Sequence, residues 1–409
     1  MTARRFWQTC RVIGDALTAA VGARQSTDAA GFERSLDLLV MAPRPEVSAT
    51  LVQRLATAVG NAWMRGWQPA DVTRAVRRAH GVRHTRLAVD MIAERMAGQP
   101  TDTVDDRWAA QLRTLDARVW WKGGDVYLER WAARESVDPI MATRYAVEVL
   151  AVVEALPGLP RLLPPPGIGP ARRAPRRSGR DAASRMLERV RSLLAKAESS
   201  EFASEAEAYT AKAQELIARH SIDHALLHRD DDRDQPVAVR ITVDSPYEEA
   251  KALLLQNVAE ATMCRSVWSA EFGFATVFGY ADDIAAVELM YGSLLVQGTA
   301  TMVREGSGGR TKSFRQSFLY AYAVRIGQRL RTATDDARTD ARTDAGTGAG
   351  TDELLPVLAS REQAVEDRVA EVFAKFTSRR PRINDERGWI SGTAAADRAR
   401  LERRRAVDG

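Results

Sequence analysis

The chain has 409 residues, 45% of them hydrophobic and 28% charged, so it can form sizeable cores and is too long for one ordinary domain. Its only two cysteines, Cys10 and Cys264, exclude a disulfide framework and a cysteine-rich zinc site and fit a reducing cytoplasm. The net charge of +5 is mildly basic. We find no apolar run of about 18 residues and no apolar signal core after the basic start, so we predict a cytoplasmic protein without a membrane span.

Residues 1–156 predict a helical domain, because apolar residues recur at helical spacing in successive segments. The predicted helices are Phe6–Val21, Glu46–Met64, Val72–His80, Thr85–Met96, Arg107–Val119, Tyr127–Arg134 and Pro139–Leu156. The loop Trp120–Asp125 contains two tryptophans, a lysine and two glycines. Those tryptophans could stack a base or a sugar, but we favour a core-filling role beside a glycine turn.

Residues 157–183 predict an interdomain linker, because seven prolines lie between positions 157 and 175 and proline cannot donate to a helix or a sheet. The second half of this linker, residues 171–180, contains no acid and five arginines: Arg172, Arg173, Arg176, Arg177 and Arg180. Guanidinium groups bind phosphates bidentately and release counterions, so this run predicts nucleic-acid contact. The alternative interpretation is a solvated linker in an arginine-rich chain.

Residues 184–228 predict a helical hairpin. One stripe of the first helix carries its apolar residues, which are Met186, Leu187, Val190, Leu193, Leu194 and Ala197. After an interruption at 198–200, Ser204 and Glu207 have the form of a capping box that begins a second helix ending near Arg219. Ser221 and Asp223 are both N-cap residue types, so we predict a short third helix that starts near Ile222.

Three motifs of this hairpin occur in a recognisable order: VRSLLAKAES at 190–199, SEAEA at 204–208 and AKAQELIARH at 211–220. In this order they resemble the bacterial and phage family known as domain of unknown function 2786 (DUF2786). The resemblance covers about a tenth of the chain. The family has no established activity, so the resemblance implies no catalytic residue, but it does imply an α+β segment after the hairpin.

An α+β domain is predicted at 236–331, with strands at 237–243 and 272–280 and helices at 247–264, 281–296 and 313–330. Residues 332–353 repeat Ala-Arg-Thr-Asp and then turn to Gly and Thr, so they predict a disordered low-complexity linker. Residues 354–409 predict a helical, basic C-terminal tail. Two further arginine clusters lie in that tail, at 379–382 and 403–405.

Two groups of side chains could bind a metal ion. Asp282 and Asp283 follow a predicted strand, with Glu288 farther along the same helix, as acids do in magnesium-dependent nucleases. Capping and the helix dipole explain the same pair of aspartates without a metal, and we favour that explanation. Three histidines at 220, 224 and 228 have helical spacing, but the predicted break after the second helix would keep all three from lining one face.

We therefore predict a mainly α, multidomain protein, with a helical N-terminal domain, a helical hairpin and a small α+β C-terminal domain. The basic clusters favour a non-enzymatic binding or adaptor protein with weak, sequence-independent affinity for nucleic acid, and we predict no cofactor. The first alternative is a metal-dependent hydrolase or nuclease that uses Asp282, Asp283 and Glu288. The second is a protein-interaction module that binds a partner protein through the apolar face of the hairpin.

Overall fold

The structure is a computed structural model that describes residues 3–100, 103–168, 177–200, 202–228, 234–305, 311–344 and 350–373. Contacts divide the chain into two compact units, Met1–Ala174 (unit 1) and Pro175–Gly409 (unit 2). The described residues form fourteen α-helices and one small sheet, which confirms the predicted mainly α class. In the described part of the chain, no helix combines the length and the apolar character of a membrane span.

Unit 1 is built from helices, and its described residues contain eight of them. They are α1 (Ala3–Gln25), α2 (Ala29–Met41), α3 (Arg44–Met64), α4 (Pro69–Ala79), α5 (Val82–Met96), α6 (Asp106–Thr114), α7 (Tyr127–Glu135) and α8 (Pro139–Ala155). We did not predict α2, although Asp28 caps it by accepting a hydrogen bond from the Gly31 amide at 2.9 Å. The predicted helix Arg107–Val119 is too long, since α6 ends at Thr114.

The core of unit 1 lies around α3 and α8, which pack against each other and against α1 and α5. The fully buried Leu51 and Leu55 of α3 and Trp131 of α7 lie in this core. Trp121 is also buried and packs on Tyr127, with ring centroids 4.6 Å apart, so it fills core space as the favoured interpretation predicted. Trp120 is partly exposed, and the Arg134 guanidinium covers its ring at 4.6 Å.

Unit 2 begins with the hairpin and continues with a sheet and four further helices. Its described elements are α9 (Arg177–Ser199), α10 (Ala203–Leu227), β1 (Val237–Thr242), α11 (Glu248–Ala261), β2 (Arg265–Ser269), β3 (Phe274–Gly279), α12 (Ala281–Glu305), α13 (Lys312–Asp344) and α14 (Gly350–Val372). The predicted capping box is wrong in position, because α10 begins at Ala203 with Phe202 as its N-cap and Ser204 lies inside the first turn.

The apolar face of the hairpin is covered by its own chain. Val190 and Leu194 of α9 and Ile217 of α10 are buried in one core cluster with residues of α11, α12 and α13. Burial of this face supplies the main attraction that holds the hairpin on the α+β part of unit 2. A partner protein could bind the same face only by displacing that core, which argues against the predicted interaction module in that form.

The three strands form an antiparallel sheet in the order β1–β3–β2. We did not predict β2, a short strand whose residues are all half-buried and lack a clear alternation. β3 is the central strand and every residue of it is buried. On one face, Ala275 and Val277 join the main core. On the other face, Phe278 meets Phe373, just after the end of α14, with ring centroids 5.9 Å apart. The end of β3 is therefore enclosed.

The structure differs from the predicted disordered linker at 332–353. Helix α13 continues through this segment to Asp344, and α14 begins at Gly350. Thr334 is buried and accepts a hydrogen bond from Gln214 Nε2 of α10 at 3.0 Å. Arg338 reaches Glu362 of α14 at 2.9 Å. Tertiary contacts thus hold a helix in a composition that is typical of disorder when it stands alone.

Candidate functional site

Helix α10 carries the histidines at 220 and 224, and His228 is its C-cap. We predicted a break near Ile222, and that prediction is wrong because α10 runs unbroken to Leu227. The Ser221 hydroxyl donates to Asp283 of α12, so it does not act as an N-cap for a new helix. Residues four apart lie one above the other on a helix. His220 and His224 therefore share one face of α10.

The two aspartates at the start of α12 face different surroundings. Asp282 is partly exposed, and its Oδ2 lies 3.5 Å from Nε2 of His220 and 3.8 Å from Nε2 of His224. Asp283 is buried and accepts from Ser221. Glu288 is exposed and, at 100° per residue, lies roughly 120–140° around the helix from both aspartates. Glu288 therefore lies on another side of α12 and does not meet the two aspartates.

Arg361 of α14, which we did not predict as a site residue, contacts the acidic side chains. Its Nη1 lies 3.0 Å from Asp234 Oδ2 and 3.2 Å from Nδ1 of His224, while its Nη2 lies 3.7 Å from Asp283 Oδ2. The guanidinium also lies 3.4 Å from the centroid of the Tyr280 ring. Its side chain is only 9% exposed, so it neutralises buried carboxylates rather than facing solvent.

A signal for Arg361 was present in the sequence. Leu358, Val365 and Val369 are buried and define the inward stripe of α14. Arg361 occupies the same stripe, three residues after the first of them and four before the second. A charged residue within an apolar stripe indicates a buried counter-charge. The sequence could not say which carboxylates supply it, because they lie about 80 or more residues away along the chain.

Six residues thus form what we call the histidine–aspartate cluster: His220, His224, Asp234, Asp282, Asp283 and Arg361. They come from α10, α12, α14 and the segment that precedes β1. Burial lowers the pKa of His224 below 6.5, so its imidazole is mostly neutral at neutral pH. The hydrogen bond from His220 lowers the pKa of Asp282, which is therefore ionised. Burial raises the pKa of Asp283 to about 6, despite the Ser221 hydrogen bond and the nearby Arg361.

His228 supports the ring of His224. The two rings stack with centroids 4.1 Å apart, and Nδ1 of His228 donates to the carbonyl oxygen of His224 at 3.0 Å. A carbonyl can only accept, so this nitrogen carries the proton. Nδ1 of His224 lies near a donor, Arg361, and 3.5 Å from an acceptor, Asp234 Oδ2. When Nδ1 of His224 accepts from Arg361, Nε2 carries the proton and points it towards the Asp282 carboxylate. When Nδ1 donates to Asp234, Nε2 instead presents a lone pair.

Most of the predicted nucleic-acid site lies outside the described residues, namely Arg172, Arg173 and Arg176 and the clusters at 379–382 and 403–405. Arg177 and Arg180 belong to the first turn of α9.

The buried Cys264 has a pKa well above its ordinary value because of its burial, so its thiol is not activated as a nucleophile.

Comparison with known proteins gives one match. The family model described as "Protein of unknown function (DUF2786)" matches residues 185–224, which confirms the resemblance predicted from the sequence motifs. The matched segment contains α9 from its third turn and α10 as far as His224, so it includes His220 and His224 of the cluster. No curated protein and no solved structure matches the chain.

Proposed function

We propose that unit 2 is a metal-dependent hydrolase whose ion is held by Nε2 of His220, Nε2 of His224 and Oδ2 of Asp282. The observation that carries this proposal is that two imidazole nitrogens from consecutive turns of α10 face one carboxylate oxygen, at 3.5 Å and 3.8 Å. Ligand atoms about 2.0–2.1 Å from a tetrahedral ion lie roughly 3.3 Å apart. The ring centroids of His220 and His224 lie 6.1 Å apart, so the two rings would have to turn towards each other to complete this set. Two imidazoles and one carboxylate suit Zn²⁺ and leave one position open for water.

The protonation states favour cation binding. Metal ligands must be neutral imidazoles and ionised carboxylates, and the pKa shifts of His224 and Asp282 produce those forms at neutral pH. An ionised carboxylate can only accept, so the imidazole nitrogen that hydrogen-bonds to it carries a proton in the metal-free chain. When a cation binds, this proton would move to Nδ1 of the same ring, which stays neutral. A bound ion would supply an activated water for hydrolysis.

The surrounding residues orient the ligands. Asp234 can accept from Nδ1 of His224, which is the carboxylate–histidine arrangement that fixes a ligand ring. Asp283 is too buried to reach a substrate, and it holds Ser221 of α10 and Arg361 of α14. We therefore assign Asp283 and Arg361 as positioning residues. Asp282 is partly exposed, so a substrate could approach its side of the cluster.

The test uses the full chain, stripped of metal with a chelator and resupplied with Zn²⁺, Mn²⁺ or Mg²⁺. Hydrolysis of bis(p-nitrophenyl) phosphate, and cleavage of single- and double-stranded DNA, report activity. The variants are His220→Gln, His224→Gln and Asp282→Asn, with Glu288→Gln as the matched control on the same helix. We expect each ligand variant to lose at least about 100-fold in activity, since loss of a supporting partner alone costs about 10–100-fold. We expect the control to retain its activity.

The proposal predicts both activity and metal binding. Binding of Zn²⁺ can be measured in competition with a chromogenic chelator, and it should weaken in Asp282→Asn. If the folded chain neither binds these cations nor cleaves these probes, the proposal is wrong. It is also wrong if the three ligand variants bind and cleave like the parent chain.

Sequence-independent affinity for nucleic acid is a second, separate proposal. It is supported by the five arginines of 171–180, which have no acid among them. Fluorescence anisotropy of the full chain against DNA should show binding that weakens steeply with salt. Replacement of all five arginines by serine should remove most of that binding. Unchanged affinity in this variant would exclude the run as the contact site, whatever the outcome at the histidine–aspartate cluster.

A further inference from the structure

Unit 1 contains a second group of metal-binding side chains, His80, His84 and Glu148, which we call the N-terminal histidine group. His80 caps the C-terminus of α4, His84 lies in the first turn of α5, and Glu148 lies in α8. In the described residues, one possible ligand atom from each of the three lies within 4.8 Å of the others. Three separate helices thus bring two imidazoles and one carboxylate together.

The fold fixes two members of the group tightly. Nε2 of His84 lies 2.8 Å from Oε2 of Glu148, and both side chains are only 11% exposed. The edge of the Tyr145 ring packs on His84, with centroids 4.6 Å apart. The other oxygen of Glu148 lies 3.8 Å from Nη2 of Arg24. The carboxylate oxygen that faces His84 is therefore not the one nearest to the arginine.

His80 is the more exposed histidine of the group. Its ring stacks on that of His84, with centroids 4.3 Å apart and planes 15° apart, and it is only half-buried. Gly81 follows it with φ of +148°, a backbone conformation that residues with a side chain rarely adopt. This residue reverses the chain between α4 and α5 and so places the two histidines together. The exposed side of His80 gives solvent access to an otherwise enclosed group.

We propose that His80, His84 and Glu148 bind one divalent transition-metal ion, with Zn²⁺ as the best fit. The donor set of two imidazoles and one carboxylate matches three-ligand zinc sites that leave one position open. Lone pairs of stacked, nearly parallel rings do not converge, so the stack opens on binding. His80 makes that movement, because His84 is enclosed.

This proposal is independent of the hydrolase proposal, since the two sites lie in different units and share no residue. The experiment titrates the full, metal-stripped chain with Zn²⁺ in competition with a chromogenic chelator. A parallel titration with Co²⁺ follows its visible absorption. The variants are His80→Gln and Glu148→Gln for this site, and His220→Gln with Asp282→Asn for the other.

We expect His80→Gln to remove one bound equivalent of Zn²⁺, or to weaken it at least about 100-fold, while the unit 2 variants keep that equivalent. His80→Gln leaves the pair of His84 and Glu148 in place, so this variant is expected to fold even if Glu148→Gln does not. Circular dichroism checks the fold of each variant. The site is refuted if the folded parent chain binds no Zn²⁺ that depends on His80. Loss of binding only in the unit 2 variants would also refute it, and would leave the hydrolase proposal standing.

Discussion

Replacement of Asp283 by asparagine should stabilise unit 2 at neutral pH. Asp283 is fully buried, and burial raises its pKa from 3.8 in the unfolded chain to about 6 in the folded one. The folded state therefore holds a proton that the unfolded state releases between these two values. The free energy of unfolding falls as the pH rises through that window. At 1.36 kcal/mol per pKa unit, the ionised carboxylate destabilises the fold by about 3 kcal/mol above pH 6.

Asparagine removes this penalty, because it is close in shape and carries no charge. Its side-chain oxygen can still accept from the Ser221 hydroxyl. We expect Asp283→Asn to raise the free energy of unfolding by up to about 3 kcal/mol at about pH 7.5. The gain should be smaller by about 1 kcal/mol at about pH 5, where the native carboxyl is mostly protonated. Urea unfolding of the full chain, followed by circular dichroism at both pH values, measures the difference.

Asp282→Asn is the matched control, and its effect should have the opposite sign. The hydrogen bond from His220 lowers the pKa of Asp282 below 3.8, so its charge stabilises the folded state above that pH and this contribution is lost in acid. The asparagine variant at 282 should therefore be less stable than the parent chain at neutral pH. If both variants shift stability in the same direction, or if the gain in Asp283→Asn does not depend on pH, the assignment of the two aspartates is wrong.

Three further substitutions test the packing of unit 2 by urea or thermal unfolding. Arg361→Gln should destabilise it by about 3–5 kcal/mol, because buried carboxylates lose their counter-charge. Phe318→Ala, at a fully buried position, should cost about 3–5 kcal/mol, and a loss below 1 kcal/mol would contradict its place in the core. Gly327→Ala should cost about 1–3 kcal/mol, since the new methyl would overlap the Asn257 amide, whereas Gly292→Ala meets open space and should be neutral or stabilising.

Local sequence patterns predicted most helices, because the apolar periodicity of a helix is set by residues that are close together in the sequence. The apolar stripe of α9 and the amphipathic start of α13 are complete within single segments, so their periodicity was sufficient. Two elements, α2 and β2, were not predicted, for different reasons. Helix α2 has both a capping aspartate and an inward stripe, so its signals were present and were overlooked. Strand β2 is half-buried at every residue, so it carries no alternation by which it could be found.

The error at α10 shows where local signals mislead. Ser221 and Asp223 have the chemistry of N-cap residues, and this predicted a break before His224. In the folded chain the Ser221 hydroxyl instead donates to Asp283, some sixty residues away. That distant acceptor keeps the helix continuous and aligns His220 with His224. The sequence of the helix alone does not contain this acceptor, so it could not predict that the helix continues past Ser221.

By itself, the sequence determined the helical class, the positions of most helices and the resemblance of 185–224 to DUF2786, because these depend on short-range periodicity and ordered motifs. Only the tertiary structure decided which polar side chains meet. Residues 220, 282 and 361 lie on three helices far apart in the chain, and burial of the apolar faces of those helices brings them together. The same enclosure then shifts the pKa values of Asp283 and His224. These pKa shifts cannot be predicted from composition, because desolvation depends on how the side chains are buried in the folded protein.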